Sequence, residues 1–351
     1  MQISEYDYNL PEDLIAQQPL EDRSAARMLV VERATGFFQD RKFSELPSLL
    51  TDSDVLVLNN TRVFPARLFG EKEGTGARIE VFLIKQTGAD VWETLVRPAR
   101  RLRIGDRVVL GGGKLAAELL KKNGDGSCVM AFSAAADFFE MLEEIGKTPL
   151  PPYIKRKETP GEIPQKPDGD RDRYQTIYAR ERGAIAAPTA GLHFTPQILT
   201  DIRQKGVEVI EVTLHVGYGT FEPVRSQNLS QHSVAPELAE ITPEAAAALN
   251  KAKDQGRRIV AVGTTTTRAL ESFADENGRL RDGKAEVELT IVPGYEFRFI
   301  DALLTNFHLP QSSLLVLVST FMGKEPVLRA YRHAVEASYR FYSYGDCMLI
   351  I

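Results

Sequence analysis

Twice in the C-terminal half of the sequence a Thr-Pro pair stands directly before a helix-like run, at Thr195-Pro196 and Thr242-Pro243, and each run stops at a glycine, Gly206 and Gly256. A threonine side chain caps the free N–H groups at a helix start, and proline at the next position lacks the N–H that would go unbonded there. Between and beyond these helices lie β-branched or apolar segments, Val207–Val216, Ile259–Val262 and Ile300–Leu304. Gly263-Thr264-Thr265-Thr266 turns the second of them into a helix through Ser272, and Pro326–Arg340 reads as a last helix. A chain that alternates in this way folds as an α/β layer structure around a largely buried sheet. Val55-Leu56-Val57-Leu58, an unbroken apolar run ending in Asn59-Asn60-Thr61-Arg62, has the texture of a buried strand and is expected to join that sheet.

From about Leu68 to Phe132 the texture changes. Ile79–Ile84, Val91–Val96, Arg107–Leu110 and Cys128–Phe132 are strand-like and separated by glycines, which predicts a small all-β barrel or sandwich. A helix-like segment, Ala135–Ile145, follows, and then a stretch from Pro149 to Arg173 with six prolines, which reads as a loop or linker. The β-rich block, residues 66–150, is therefore an insertion into a domain formed by residues 1–65 and 151–351.

Charge limits the partners. With 43 Lys and Arg against 48 Asp and Glu, the net charge of −5 excludes a uniformly basic nucleic-acid coat but leaves room for a local patch. Two such patches exist: Arg97, Arg100, Arg101, Arg103 and Arg107 against Asp106 alone, and Lys147, Lys155, Arg156 and Lys157 with no acid among them. Phosphate-backbone binding is one reading of both, and a solvated loop face is the other. The two cysteines, Cys128 and Cys347, lack any ligand-spaced neighbour, so a disulfide scaffold or zinc finger is not expected and a reducing cytoplasm suits the chain. Met1-Gln2-Ile3-Ser4-Glu5 does not resemble a signal peptide, and the apolar run at Leu314–Val318 is too short to span a bilayer. A cytoplasmic protein without membrane association is expected.

Five histidines can be read one by one. His193, in PTAGLHFT, precedes a capped helix; His215, in LHVGYGTF, ends a strand; His308, in TNFHLP, stands where a strand gives way to a loop. Ligands of α/β sheets bind outside the carboxyl ends of the strands, so these three are placed as site residues would be. Each alone is as well explained as a satisfied, partly buried ring. His232 lies in a loop before Glu237, and His333 reads as an ordinary helix residue. A zinc site from His193, His215 and His308 is not expected, because no close-spaced ligand pair anchors it. The strand-Gly-Thr-Thr-Thr-Thr-Arg-helix turn at Val260–Arg268 offers backbone donors and hydroxyls to an anion or a nucleoside, or else is a plain helix start; it lacks the Gly-Lys-Ser/Thr ending of a P-loop.

Taken together, PTAGLHFT, LHVGYGTFEPVR, VGTTTTRALES, TNFHLP and YRFYSYGDCMLI resemble the S-adenosylmethionine:tRNA ribosyltransferase-isomerase family of the queuosine pathway. YDYNLPEDLIAQ, VLVLNNTRVFPARLFG, LPPYIKR and YQTIYA extend the resemblance over essentially the whole chain. The family's pattern His-x-Met-His-x-Glu is departed from at His232-Ser233-Val234-Ala235-Pro236-Glu237, where Ala235 stands in place of the second histidine.

The resemblance implies a mixed-sheet, open-barrel-like α/β core with an inserted small β-barrel. It implies that S-adenosylmethionine donates its ribosyl group, as substrate and not as a resident cofactor, to 7-aminomethyl-7-deazaguanine at the tRNA wobble position. Epoxyqueuosine-tRNA, adenine and methionine result, and a monomer is expected. His193, His215 and His308 become proton carriers, one of them the base that removes a C5′ hydrogen made acidic by the sulfonium. Thr264, Thr265 and Thr266 are expected to line the S-adenosylmethionine pocket with Arg268 or Asp301 at its polar ends, while His232 and Glu237 remain as substrate-binding residues. Tyr174 and Tyr218 either stack on a base or simply pack in the core. Arg97, Arg100, Arg101, Arg103, Lys155, Arg156 and Lys157 would meet anticodon-arm phosphates. Two rival readings are an S-adenosylmethionine-dependent tRNA methyltransferase, whose glycine-rich loop is missing after Leu58, and a non-catalytic RNA-binding module.

Overall fold

A computed structural model describes residues 1–134, 137–156, 169–221 and 227–351. Among the described residues, nine strands form one open mixed sheet. At its centre β3 (Asp54–Asn59) is fully buried and lies between β12 (Glu208–Leu214) and β14 (Arg258–Val262), parallel to both. β16 (Ala302–Asn306) continues the parallel set beside β14. On the far side of β16 come β17 (Cys347–Ile350), β1 (Arg27–Val31) and β2 (Phe38–Lys42). Beyond β12 lie β13 (Glu237–Ile241) and β15 (Gly283–Val287), both antiparallel pairings.

Side-chain alternation divides the core into two layers. Val55, Val57, Ile259, Ala261 and Leu303 point to one face, which α5 (Pro243–Asp254), α6 (Thr264–Phe273), α7 (Ser313–Met322) and α8 (Lys324–Glu336) help to cover. Leu56, Leu58, Val260, Val262 and Leu304 point to the other, against α1 (Leu46–Leu49) and α4 (Pro196–Gln204). Both Thr-Pro signatures are helix starts: Thr195 accepts from the Ile198 N–H at 3.2 Å and Thr242 from the Ala245 N–H at 3.2 Å. The last helix begins at Lys324, ahead of Pro326, and stops at Glu336, before the expected Arg340. Proline sits in its first turn, where no N–H is missed.

Between β4 (Thr61–Val63) and α3 (Asp170–Arg173) the chain makes a closed antiparallel barrel. Its strands are β5 (Arg67–Lys72), β6 (Arg78–Gln86), β7 (Val91–Arg97), β8 (Arg107–Leu110), β9 (Leu115–Lys122) and β10 (Cys128–Ala134). The sequence shows four of these plainly. β5 and β9 escape it because β5 carries Gly70 and three charges and β9 is built of Ala, Leu, Glu and Lys, which favour helices in isolation. Barrel closure overrides that preference. α2 (Phe138–Ile145), capped by Asp137, closes over the barrel, with Phe138 and Phe139 against Trp92. β11 (Glu181–Ala184) pairs with β4 in a separate two-stranded ribbon. Among the described residues, no helix is long and apolar enough to cross a membrane.

Candidate active site

The strands of the parallel set end on one side of the sheet, and a cleft opens there, with about 560 Å³ of empty space. Its lining follows from strand ends: Val216 after β12, Gly263, Thr264 and Thr265 after β14, and Thr305, Asn306 and His308 at and after β16. Gly263 has φ +91, a left-handed turn from strand to helix that a Cβ would strain. That turn leaves the first hydroxyls and N–H groups of α6 facing the cleft. Asn59, at the end of β3, donates to the Leu214 carbonyl and to Thr265 Oγ1 at 3.2 Å. Thr265 therefore keeps its own O–H proton for another acceptor.

Three tyrosines close the opposite wall. Tyr153 and Tyr342 meet edge to face at 3.9 Å between ring centroids, and Tyr174 packs its edge on Tyr344. Tyr342 holds a φ of 71, an uncommon conformation for a bulky residue, and such outliers concentrate at functional sites.

His308 is the histidine that lines this cleft. The Tyr331 hydroxyl accepts from the His308 backbone N–H at 3.1 Å and lies 3.2 Å from its Nδ1. Burial raises the Tyr331 pKa well above the usual phenol range, so that hydroxyl keeps its proton and is able to donate it to Nδ1. With Nδ1 accepting, the imidazole hydrogen is on Nε2, which lies 3.4 Å from Thr305 Oγ1. Burial also takes the His308 pKa down to about 3. His308 is thus a neutral ring, and in this tautomer it presents a donor at Nε2.

The other two rings lie elsewhere. His193 packs against Phe43 at 5.2 Å in the layer shared with α4, and it is not part of the cleft lining. Burial, with Arg23 and Arg340 nearby, takes its pKa down to about 3. His215 is half-buried beside the β4–β11 ribbon, where its Nδ1 is 2.8 Å from Thr61 Oγ1. A Cβ on Gly183 would fall 2.6 Å from that Nδ1, so the close approach needs glycine. Thr61 Oγ1 directs its own proton to the Glu181 carbonyl at 3.5 Å, which suits a His215 with its hydrogen on Nδ1 and a free lone pair on Nε2. Burial and Lys284 lower its pKa, while Glu181 and Glu240 oppose the shift. Of the three imidazoles expected at the reacting carbon, His308 lines the cleft, whereas His215, one residue before the cleft-lining Val216, and His193, three residues after Ala190, are not in its lining.

A second lobe adjoins the first at Leu314, with about 570 Å³ of empty space. Arg268, one turn into α6, and Glu237, at the start of β13, form a buried ion pair on its wall, and His232 and Ala235 line it too. Glu237 also accepts from the Gly217 N–H at 2.8 Å, and Arg268 Nε donates to the Leu289 carbonyl at 3.0 Å.

Four expected residues are placed otherwise. Asp301 accepts from the Ile259 N–H at 2.8 Å and pairs with Lys253, at the end of β14 opposite Gly263, so it stands across the sheet from the cleft. Thr266 points into its helix and donates to the Val262 carbonyl at 2.6 Å. Tyr218 packs on Phe82 of the barrel at 5.6 Å and lines neither lobe. Arg156 grips Asp170 through two 2.7 Å hydrogen bonds and also donates to the Gln17 carbonyl at 2.7 Å, which leaves it as a clamp within the fold. Lys157 lies outside the described residues. Arg97, Arg100, Arg101 and Arg103 are all exposed on the barrel, and Lys155 is exposed with Glu12 at 3.9 Å. Among the described residues, no group of three His, Cys, Asp or Glu side chains is placed to hold a metal.

Residues 3–350 match a family model described as queuosine biosynthesis protein. Relatives named S-adenosylmethionine:tRNA ribosyltransferase-isomerase are similar over the full length of both chains: 49% identical in Desulfitobacterium hafniense and 50% in Pelotomaculum thermopropionicum. A crystal structure of an S-adenosylmethionine tRNA ribosyltransferase from Thermotoga maritima is 36% identical with a TM-score of 0.56, over 99% of this chain and 100% of that one.

Proposed function

Because the chain belongs to the queuosine biosynthesis protein family, as an S-adenosylmethionine:tRNA ribosyltransferase-isomerase, we propose that the cleft beside α6 is where S-adenosylmethionine gives up its ribosyl group to a tRNA nucleotide. The enzyme transfers and isomerises that ribosyl moiety in queuosine biosynthesis, and the methyltransferase reading is set aside by the relatives' names. The acceptor in this reading is 7-aminomethyl-7-deazaguanine at the wobble position, and adenine and methionine leave.

One observation carries it: hydroxyls, aromatic rings and a neutral imidazole converge outside the carboxyl ends of four parallel strands. A nucleoside asks for that combination. Tyr153, Tyr174 and Tyr342 give adenine an aromatic wall, while Thr264 and Thr265 donate to ribose oxygens. His308, with hydrogen on Nε2, stabilises charge on the departing adenine or on the opening ribose ring by donating to it. His215, whose Nε2 is free, takes the proton-acceptor role from the side of the β4–β11 ribbon, where a flipped-out nucleotide enters. Arg97, Arg100, Arg101, Arg103 and Lys155 hold phosphates of the anticodon arm.

The test mixes purified protein, S-adenosylmethionine and tRNA bearing the aminomethyl-deazaguanine. Free adenine in a 1:1 ratio to modified tRNA is expected, with none from tRNA that carries guanine. Adenine release that is indifferent to replacing Thr265 and His308 would sink the assignment of the cleft.

A further inference from the structure

Three arginines from separate parts of the chain are tied to one another's segments through backbone carbonyls. Arg23 Nη1 donates to the Gln175 carbonyl at 2.8 Å and the Leu192 carbonyl at 3.1 Å, and its Nη2 to the Asp172 carbonyl at 2.7 Å. Arg173 donates to the Glu21 carbonyl at 3.1 Å and to the Leu20 carbonyl, and Arg340 donates to the Gln18 carbonyl. All of these acceptors are neutral. Among the described residues, none of the three guanidiniums forms an ion pair with a carboxylate. Asp22 and Asp346, in the same segments, are engaged by the Ser24 N–H at 2.9 Å and by the Arg27 and Arg340 backbone N–H groups at 2.8 Å. Like charges crowd here: burial and Arg173 lower the Arg23 pKa, and Asp172 offsets only part of that shift.

Stapling carbonyls does not account for the whole cluster. Arg173 Nε and Arg340 Nη1 are buried without a partner, and so is Nε2 of His193, a ring that is 4% exposed and lies within the field of Arg23 and Arg340. Buried donors left unbonded are costly. Spare guanidinium N–H groups around uncompensated positive charge suit a phosphate, whose oxygens accept in the fork geometry. A lone carboxylate would meet one of the three charges, whereas a polynucleotide brings consecutive phosphates. The place fits as well. Arg173 directly precedes Tyr174, and Arg340 stands two residues before Tyr342, and both tyrosines line the cleft. Gln175, whose carbonyl Arg23 holds, bonds through its side-chain amide to the N–H and the carbonyl of Val63 in β4, each at 3.1 Å. The cluster therefore joins the β4–β11 ribbon to the tyrosine wall, and a nucleotide that swings past the ribbon brings its flanking phosphates to it.

We propose that Arg23, Arg173 and Arg340 form a phosphate cradle for the reacting tRNA nucleotide, gripping the backbone linkages on either side of its flipped base. The proposal rests on the reading that this nucleotide reaches the cleft from the side of the ribbon. The three arginines are positioning residues: they touch the backbone of the acceptor and leave the reacting atoms to the cleft. The barrel arginines are a different contact, with the arm and not with the reacting unit.

A double-mutant cycle across the interface tests this. Anticodon stem–loop RNA bearing the aminomethyl-deazaguanine is made with one neutral methylphosphonate at each loop linkage in turn. Its binding to the unaltered protein, Arg340→Gln and Arg173→Gln is then measured. Neutralising a linkage next to the wobble nucleotide is expected to weaken binding to the unaltered protein by roughly 10-fold or more, the value of a hydrogen bond between charged groups. The same change should cost one of the two variants almost nothing further. An arginine that only staples the fold would lower affinity for every RNA equally, so losses that simply add at all linkages overturn the proposal. Coupling only to linkages remote from the wobble nucleotide overturns it too. Tight, saturable binding of inorganic phosphate alone that disappears in Arg340→Gln would assign the cluster to a free small anion, and the proposal falls. If a flanking linkage couples while adenine release is indifferent to replacing Thr265 and His308, the cradle stands and the cleft reading falls.

Discussion

His308 and His193 show how the same residue type, driven to a pKa of about 3 in both places, serves different ends. In the cleft wall, the Tyr331 hydroxyl lies 3.2 Å from Nδ1 and orients the ring, and in the proposed reading Nε2–H donates to the substrate. His308→Ala is expected to lower the single-turnover rate of adenine release by about 10²- to 10⁴-fold, the scale of one positioned catalytic group. His308→Gln, whose amide can still donate, should recover part of that loss, and a rate equal to the alanine variant would argue against donation. Under the sheet, His193 packs on Phe43 and has a pH signature instead. Its folded pKa lies below the unfolded 6.5, so the unfolded chain binds the proton more readily. Its contribution is complete above about pH 6.5 and drains away as pH falls toward 3, at about 1.4 kcal/mol per unit. Denaturant midpoints measured between pH 7 and pH 5 should fall with acid, and His193→Gln should make that fall shallower.

Elements differ in how openly the sequence announces them. The capped helices and β3 are legible because their signals are local: a Thr-Pro pair at the start, an unbroken apolar run in a strand buried on both faces. Thr195→Ala removes one such signal and should lower the unfolding free energy by about 1 kcal/mol in a denaturant melt. Gly263→Ala tests the turn into α6. A Cβ there has ordinary room, 3.7 Å from the Ala190 Cβ, so the cost is conformational, about 1–2 kcal/mol. Because Thr264 and Thr265 follow directly, KM for S-adenosylmethionine should rise as well, and an unchanged KM would show that the hydroxyls are not used. Other elements are silent in the sequence. β2 and β15 are mostly exposed, so no hydrophobic alternation marks them. α7 is apolar on nearly every side and carries no helical stripe. The cleft was legible in its histidine and threonine motifs but not in its membership. Asp301 leaves it because a strand has two ends, Thr266 because a helix has an inner face, and His193 because its ring packs on Phe43. Tyr342 and Ser343 enter it from a segment that sequence reasoning quoted for resemblance and assigned no role.

On the scale of the molecule, the proposed anticodon-arm contact falls to the barrel and the proposed reaction cleft to the sheet. The barrel exposes Arg97, Arg100, Arg101 and Arg103, and Asp106, the acid among them, is already paired with Lys72. Changing these four arginines to glutamine should weaken tRNA binding and reduce the slope of log affinity against log salt by roughly 3. KM for S-adenosylmethionine should stay constant, and a slope that does not move would relocate the tRNA face. The two bodies also differ in how far apart along the chain their pairing partners lie. Every barrel strand lies between Arg67 and Ala134, whereas the sheet joins Met28 to Cys347 through β1 and β17. On the ribosome, then, the barrel is finished early, and the sheet waits for β17 to be synthesised. A chain stalled before β17 would carry the barrel's exposed arginines without a completed sheet, and on the proposed tRNA contact it would compete with the enzyme for tRNA without modifying it.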